Sequence, residues 1–273
     1  MVKPGGMSEM QVPASPIVVD TPGWRSVKPR IPDTPQRRQL QKQRDVREIV
    51  FGAKDGVLTT MGVVTGLGAA TDSHSTVVIT GLLALVAGAL SMGVGEFQGA
   101  KSERDVVLAS IEMEKGEIEA DPQGEFAEQV AYYKTKGFSS DEAHTIVARL
   151  VQNPEIFLYE MMRDEFGIDP RVADESSVRP AIAMAVSYAA GSVLPILPFA
   201  IPAIGHGALW VSLSLALCGL FGIGYYAASL AGRSPFARGL EIMAWGSAVF
   251  AISFLAGHFI PPLFGHAPIS LGG

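Results

Sequence analysis

Seven side chains in the middle of the chain have the types and the spacing to hold a divalent metal ion: Glu114, Glu117, Glu125, Glu128, Met161, Met162 and Glu165. Glu114 and Glu117 are three apart, as are Glu125 and Glu128, so on helices each pair shares a face. Between the pairs, Asp121-Pro122 has the form of an N-cap followed by proline at the first helical position. That break lets the second pair fold back beside the first. Met161 and Met162 stand four and three residues before Glu165, again on one helical face. Carboxylates bind divalent cations, and added thioethers favour first-row transition metals over Mg²⁺ or Ca²⁺. The same spacing also describes a solvated acidic helix surface with Met161 and Met162 as packing, and Glu112 and Glu119 add acids that belong to neither pair. His144 lies two residues from Glu142, which is not the Glu-x-x-His spacing of di-iron carboxylate sites, and reads as a surface residue.

Three more residues, Asp55, Met92 and Glu96, matter because of where they fall. The uninterrupted apolar run 57–70 covers only about 21 Å at helical rise, short of the roughly 30 Å hydrocarbon core. Extending it back over 49–56 makes it long enough and carries Lys54 and Asp55 inside. Lys54 can reach the interface with its long stem, whereas Asp55 cannot. An intramembrane carboxylate must face protein, water or an ion, which makes Asp55 a transport candidate. In the second span, 76–99, Met92 and Glu96 are four apart and share a face. Glu96 lies near the cytosolic end, where plain exposure to water would also account for it.

The elements that position these groups follow from composition. The 273 residues are 48% hydrophobic and only 18% charged, with a mean hydropathy of +0.28. Soluble domains carry about 25% charged residues. Apolar runs of about 20 residues therefore make this an all-α polytopic membrane protein. A pI near 5.4 without a basic stripe excludes nucleic acid as a partner. The single cysteine, Cys218, excludes an intrachain disulfide and a Cys-based metal site. Of the 27 Asp and Glu, 18 lie between Lys101 and Glu175 with 8 of the 21 Lys and Arg, about −10 for that stretch against +4 for the rest. A field of one sign tied to membrane spans is suited to collecting cations.

The chain divides into a proline-rich tail (1–36) that composition predicts to be disordered, a basic segment with two spans (37–100), a helical insert (101–178), three further spans (179–262) and a short tail (263–273). No apolar stretch in 1–36 resembles a cleavable signal. Arg37, Arg38, Lys42, Arg44 and Arg47 precede the first span as topology-setting charges. The second helix is expected to run on past the membrane through AKSERDVVLASIEMEKGEIEA. In the insert, a helix from Asp121-Pro122 stops at Gly137, SSDE at 139–142 reads as a capping box, and Asn153-Pro154 caps a last helix that ends at Gly167. Later spans fall at about 180–201, 208–230 and 240–260. The turns 71–75 and 202–207 and the tail carry no Lys or Arg, so five spans put the N-terminus and the insert in the cytosol and the C-terminus on the opposite side. Gly52 and Gly56, then Gly62 and Gly66, have GxxxG spacing that fits close helix packing, including across a dimer.

The first-span motif REIVFGAKDGVLTTMGVVTGL, the second-span motif LVAGALSMGVGEF followed by AKSERD, the block NPEIFLYEMMRDEFGI and the third-span motif SVLPILPF together resemble the vacuolar iron transporter family, relatives of the yeast vacuolar iron and manganese importers. The resemblance covers about 46–260. It implies five transmembrane helices, a homodimer, and exchange of cytosolic Fe²⁺, or Mn²⁺, for H⁺ from the far side. It also implies a cytosolic metal-binding domain whose ligands correspond to the Glu114, Glu117, Glu125, Glu128, Met161, Met162 and Glu165 set, and a pore aspartate and methionine at Asp55 and Met92. Some members carry a glutamate about two turns before that methionine; here the place is Ala84, so proton coupling falls to Asp55 alone or is shared with Glu96. The expected activity is thus ion transport in a lipid bilayer, bacterial inner or vacuolar, without a prosthetic group and without enzymatic chemistry. A membrane-anchored ferroxidase or iron store is the rival, weakened by the missing Glu-x-x-His, and a metal sensor whose insert recruits a partner is another.

Overall fold

The computed structural model describes residues 26–28 and 35–263. The expectations for the rest of the proline-rich tail, for the final tail and for the side chains of Arg37, Arg38, Lys42 and Arg44 lie outside the described residues. Among the described residues all regular structure is helical, and the contacts divide it into two units, one holding 26–28 with Ser102–Glu175 and one holding 35–101 with 176–263.

The membrane unit is built on α1 (Pro35–Gly68), the start of α2 (His74–Ala120), α6 (Val178–Ala200), α7 (Ala208–Leu230) and α8 (Pro235–Leu263). Four helices are long and apolar enough to cross a membrane: α2, α6, α7 with the turn before it, and α8. α1 is long enough but is not among them. Its inner half is diluted by five glycines, three threonines and the Lys54-Asp55 pair. Its packing explains why that dilution is tolerated: α1 contacts α6, α7 and α8, and Val57, Met61 and Val64 are fully buried. A helix sheathed by other helices need not be apolar on every face.

The glycines of α1 are used inside the chain. A Cβ at Gly52 would strike Ser187 and the Met184 carbonyl, and one at Gly56 would strike the Tyr188 carbonyl, both on α6. Gly62 and Gly66 face Ser253 of α8, and Gly257 of α8 abuts the main chain of Gly66. The GxxxG spacings are seats for α6 and α8, as the expectation of close helix packing has it. Buried hydroxyls tie the bundle through carbonyls, Ser192 donating to Gly56 O at 3.2 Å and Ser212 to Pro195 O at 2.7 Å.

The second unit holds the rest of α2 with α3 (Pro122–Thr135), α4 (Ser140–Leu150), α5 (Pro154–Asp164) and a 3-10 turn at Pro170–Asp174. As expected, α2 is one continuous helix of 47 residues. Asp121 caps α3, its carboxylate accepting the Gly124 N–H at 2.9 Å, and α3 closes before Gly137 at φ +98°. Ser139 and Glu142 form the reciprocal capping box that opens α4. Asn153 departs from expectation. Its side chain makes no cap bond, and its carbonyl instead receives the Ile156 and Phe157 N–H groups, so the main chain alone starts α5 behind Pro154. α5 ends at Asp164, and Gly167 at φ +64° turns the chain so that Ile168 N–H reaches Met162 O at 3.2 Å. Val107, Ile111 and Ile118 of α2 meet Val130, Val147, Phe157 and Leu158 in one core.

Candidate metal centre

The buried stripe of α2 in this unit runs Val107, Ile111, Glu114, Ile118. Glu114 thus occupies a core position by helical spacing, and it is fully buried. No N–H or hydroxyl among the described residues donates to its carboxylate, and only the Glu165 carboxyl comes within hydrogen-bonding reach. A buried ionised carboxylate without a partner costs several kcal/mol, so the group is held for a cation or a proton. Glu117, one turn on and exposed, and Glu165, half-buried just past α5, bring oxygens to it: one from each of the three lies within 4.8 Å of the others. Three oxygens bound to one first-row ion at about 2.1 Å stand about 3–3.6 Å apart, so side-chain rotation would have to draw these three closer to close them around an ion.

Burial, then the charges of Glu165, Glu125 and Glu117, push the Glu114 carboxyl up to about 8. Burial, then Glu128, Glu117, Glu165 and Asp121, raise Glu125 to about 7, and one of its oxygens is also buried without a partner. Glu165 is raised as well, by burial and by Glu128 and Glu117. The charges on α3 thus act on Glu114 and Glu165, but the group of oxygens that lie within 4.8 Å of one another holds neither Glu125 nor Glu128. Glu128 is exposed at the edge. These groups lie on the part of α2 beyond the proposed membrane span and on the helices that follow.

Met161 and Met162 are both almost completely buried among the core residues. Glu112 separates from the cluster, since its carboxylate pairs with the buried Lys115 at 2.8 Å. His144 is exposed, its ring 5.0 Å from that of Phe126.

In the membrane unit, Asp55, Met92 and Glu96 are each half-buried. Lys54 lies 4.9 Å from the Phe51 ring centroid. Glu48, which its place in a run of charges does not distinguish, stands within hydrogen-bonding reach of Glu96; burial first, and then Glu96, raise its pKa. An open apolar groove of about 420 Å³ between α1 and α8, lined by Gly62, Gly66, Ser253 and Gly257 among others, contains no charged group.

One protein-family model, described as the VIT family, matches residues 46–258. The chain belongs to the VIT family. Among curated relatives, Vacuolar iron transporter 1 of Arabidopsis thaliana is 32% identical over 212 residues, covering 77% of this chain and 83% of that one. Vacuolar iron transporter 1 of Eucalyptus grandis is 31% identical over 212 residues, 77% of this chain and 84% of that one. Vacuolar iron transporter of Plasmodium falciparum is 28% identical over 221 residues, 78% of this chain and 81% of that one. With four membrane-length apolar helices, this VIT family member is an integral membrane protein.

Proposed function

We propose that the protein moves Fe²⁺, and Mn²⁺ by the same chemistry, out of the cytosol in exchange for protons. The observation that carries this reading is Glu114, a fully buried carboxylate with no N–H or hydroxyl donor, beside Glu117 and Glu165 in a unit of strong negative charge. Membership of a family whose relatives are named vacuolar iron transporters supports iron as the cargo. Glu114, Glu117 and Glu165 form the inner set of ligands, with Glu125 and Glu128 from α3 and a sulfur from Met161 or Met162 completing it. A thioether disfavours Mg²⁺ while leaving Fe²⁺ and Mn²⁺ as suitable ions.

α1 serves as the fifth span, sheathed by its neighbours, with the N-terminus and the metal-binding unit on the cytosolic side and the C-terminus opposite. The turns 71–75 and 202–207, which carry no Lys or Arg, support that orientation. The ion passes Asp55 and Met92, and protonation of carboxylates returns charge. Both residues are half-buried in one copy, which supports a pathway completed by a second copy in a homodimer. Glu96, paired with Glu48, shares proton handling where Ala84 offers none. Uptake of Fe²⁺ into proteoliposomes under a pH difference tests the proposal. Wild type takes up metal only with the proton gradient, and Asp55→Ala does not; equal flux by the variant overturns the pore assignment.

A further inference from the structure

α3 carries two of the proposed ligands, Glu125 and Glu128, yet of its own residues only Gln129 and Val130 are buried. Glu125 feels the like charges of Glu117 on α2 and Glu165 just past α5, so without a metal the electrostatics do not favour holding α3 in place. Three side chains hold it there. Gln129, 1% exposed, donates through Nε2 to Asp164 Oδ2 at 2.7 Å. Lys136 Nζ donates to Oδ1 and Oδ2 of the same carboxylate at 2.6 and 2.5 Å, and sits 4.3 Å over the Tyr133 ring. Asp164 is itself largely buried, its side chain 11% exposed.

We propose that Gln129, Lys136 and Asp164 form a pin that positions the α3 carboxylates on the α5 side of the metal site. The inference rests on the reading of this unit as a metal centre. Its geometry is direct: Gln129 follows Glu128, Asp164 precedes Glu165, and so the pin closes one residue from a proposed ligand on each helix. It also gives Asp164 a role apart from the cluster. Both of its oxygens are committed to Gln129 and Lys136, so it fixes the site without ligating. These are positioning residues; none of them touches the ion.

The test is Co²⁺ binding to the full-length protein in detergent, followed by the cobalt d–d absorption. Hydrogen-bond partners of metal ligands typically contribute 10- to 100-fold to affinity. Gln129→Ala and Lys136→Gln, which bond to no proposed ligand directly, are expected to weaken Co²⁺ binding by less than that factor and to change the band, and Lys136→Arg to retain wild-type behaviour. In a Glu125→Gln/Glu128→Gln background the same pin variants should have no further effect, because the groups they position no longer ligate. Equal losses in both backgrounds would mean general loosening and overturn the inference, as would unchanged affinity in the wild-type background. Should Gln129→Ala fail to fold by size exclusion, the half-exposed Lys136→Gln carries the same comparison. Wild type that binds no Co²⁺ overturns the metal centre itself, and the pin with it.

Discussion

Glu114 and Glu165 hold carboxylate oxygens within 4.8 Å of each other, although one projects from α2 and the other stands just past the end of α5. Two such groups cannot both be ionised cheaply when one of them is fully buried. The pair therefore holds a proton more readily than an isolated carboxylate does.

Metal-free stability should fall as pH rises. Glu114 at about 8 and Glu125 at about 7 both lie above the ordinary 4.5, so the folded unit holds more protons than the unfolded chain between about pH 5 and 8. The stabilisation is complete below the ordinary value and is lost as pH climbs through the raised ones. Hydrogen exchange of residues 102–175, corrected for intrinsic rate, should show protection declining over that window. Glu114→Gln should flatten the upper part of the decline and protect the metal-free unit at pH 8.

Metal affinity should run the other way. Binding displaces protons from Glu114 and Glu125, so affinity should rise with pH and level off above about 8. Calorimetry in buffers of different ionisation enthalpy should register proton release near pH 6.5. Glu114→Gln should lower affinity roughly 100-fold or more, since losing a ligand exceeds the 10- to 100-fold cost of losing its supporting hydrogen bonds.

Capture and passage should separate. Asp55 lies on α1 in the membrane unit, and the carboxylate cluster lies in the other. Asp55→Ala should abolish proteoliposome uptake while Co²⁺ affinity stays at the wild-type value. Glu117→Gln should do the reverse at low metal, weakening binding while uptake recovers at saturating Fe²⁺.

Helix packing around α1 should be intolerant of a single methyl. A Cβ at Gly56 would meet the main chain of Tyr188, which cannot step aside as a side chain could. Gly56→Ala should lower the thermal midpoint in detergent and Gly257→Ala should do likewise against Gly66. Gly95→Ala, with nothing within 4 Å, should be neutral or stabilise by up to about 1 kcal/mol.

Much of the insert was legible because its punctuation is local. Asp121-Pro122, the Ser139–Glu142 box and Gly137 act within four residues of themselves, and each does what its type dictates. Asn153 looked the same and was not, because a cap can be made by the main chain without the side chain. Glu114 could have been set apart from Glu112 and Glu119, since it alone falls in step with Val107, Ile111 and Ile118.

What the sequence determined by itself was the membrane class, the helical content, the long second helix and the acidic insert, all of which depend on composition and on neighbours within a turn or two. What only the tertiary structure decided was which acids meet. Glu165 joins Glu114 and Glu117, Glu112 leaves to pair with Lys115, Asp164 is committed to Gln129 and Lys136, and Glu48 comes up to Glu96. The α1 glycines likewise declared their partners only when α6 and α8 closed on them. Carboxylates of one helix are alike in sequence; their charge state and role depend on burial and on residues brought from elsewhere, and no local spacing encodes either.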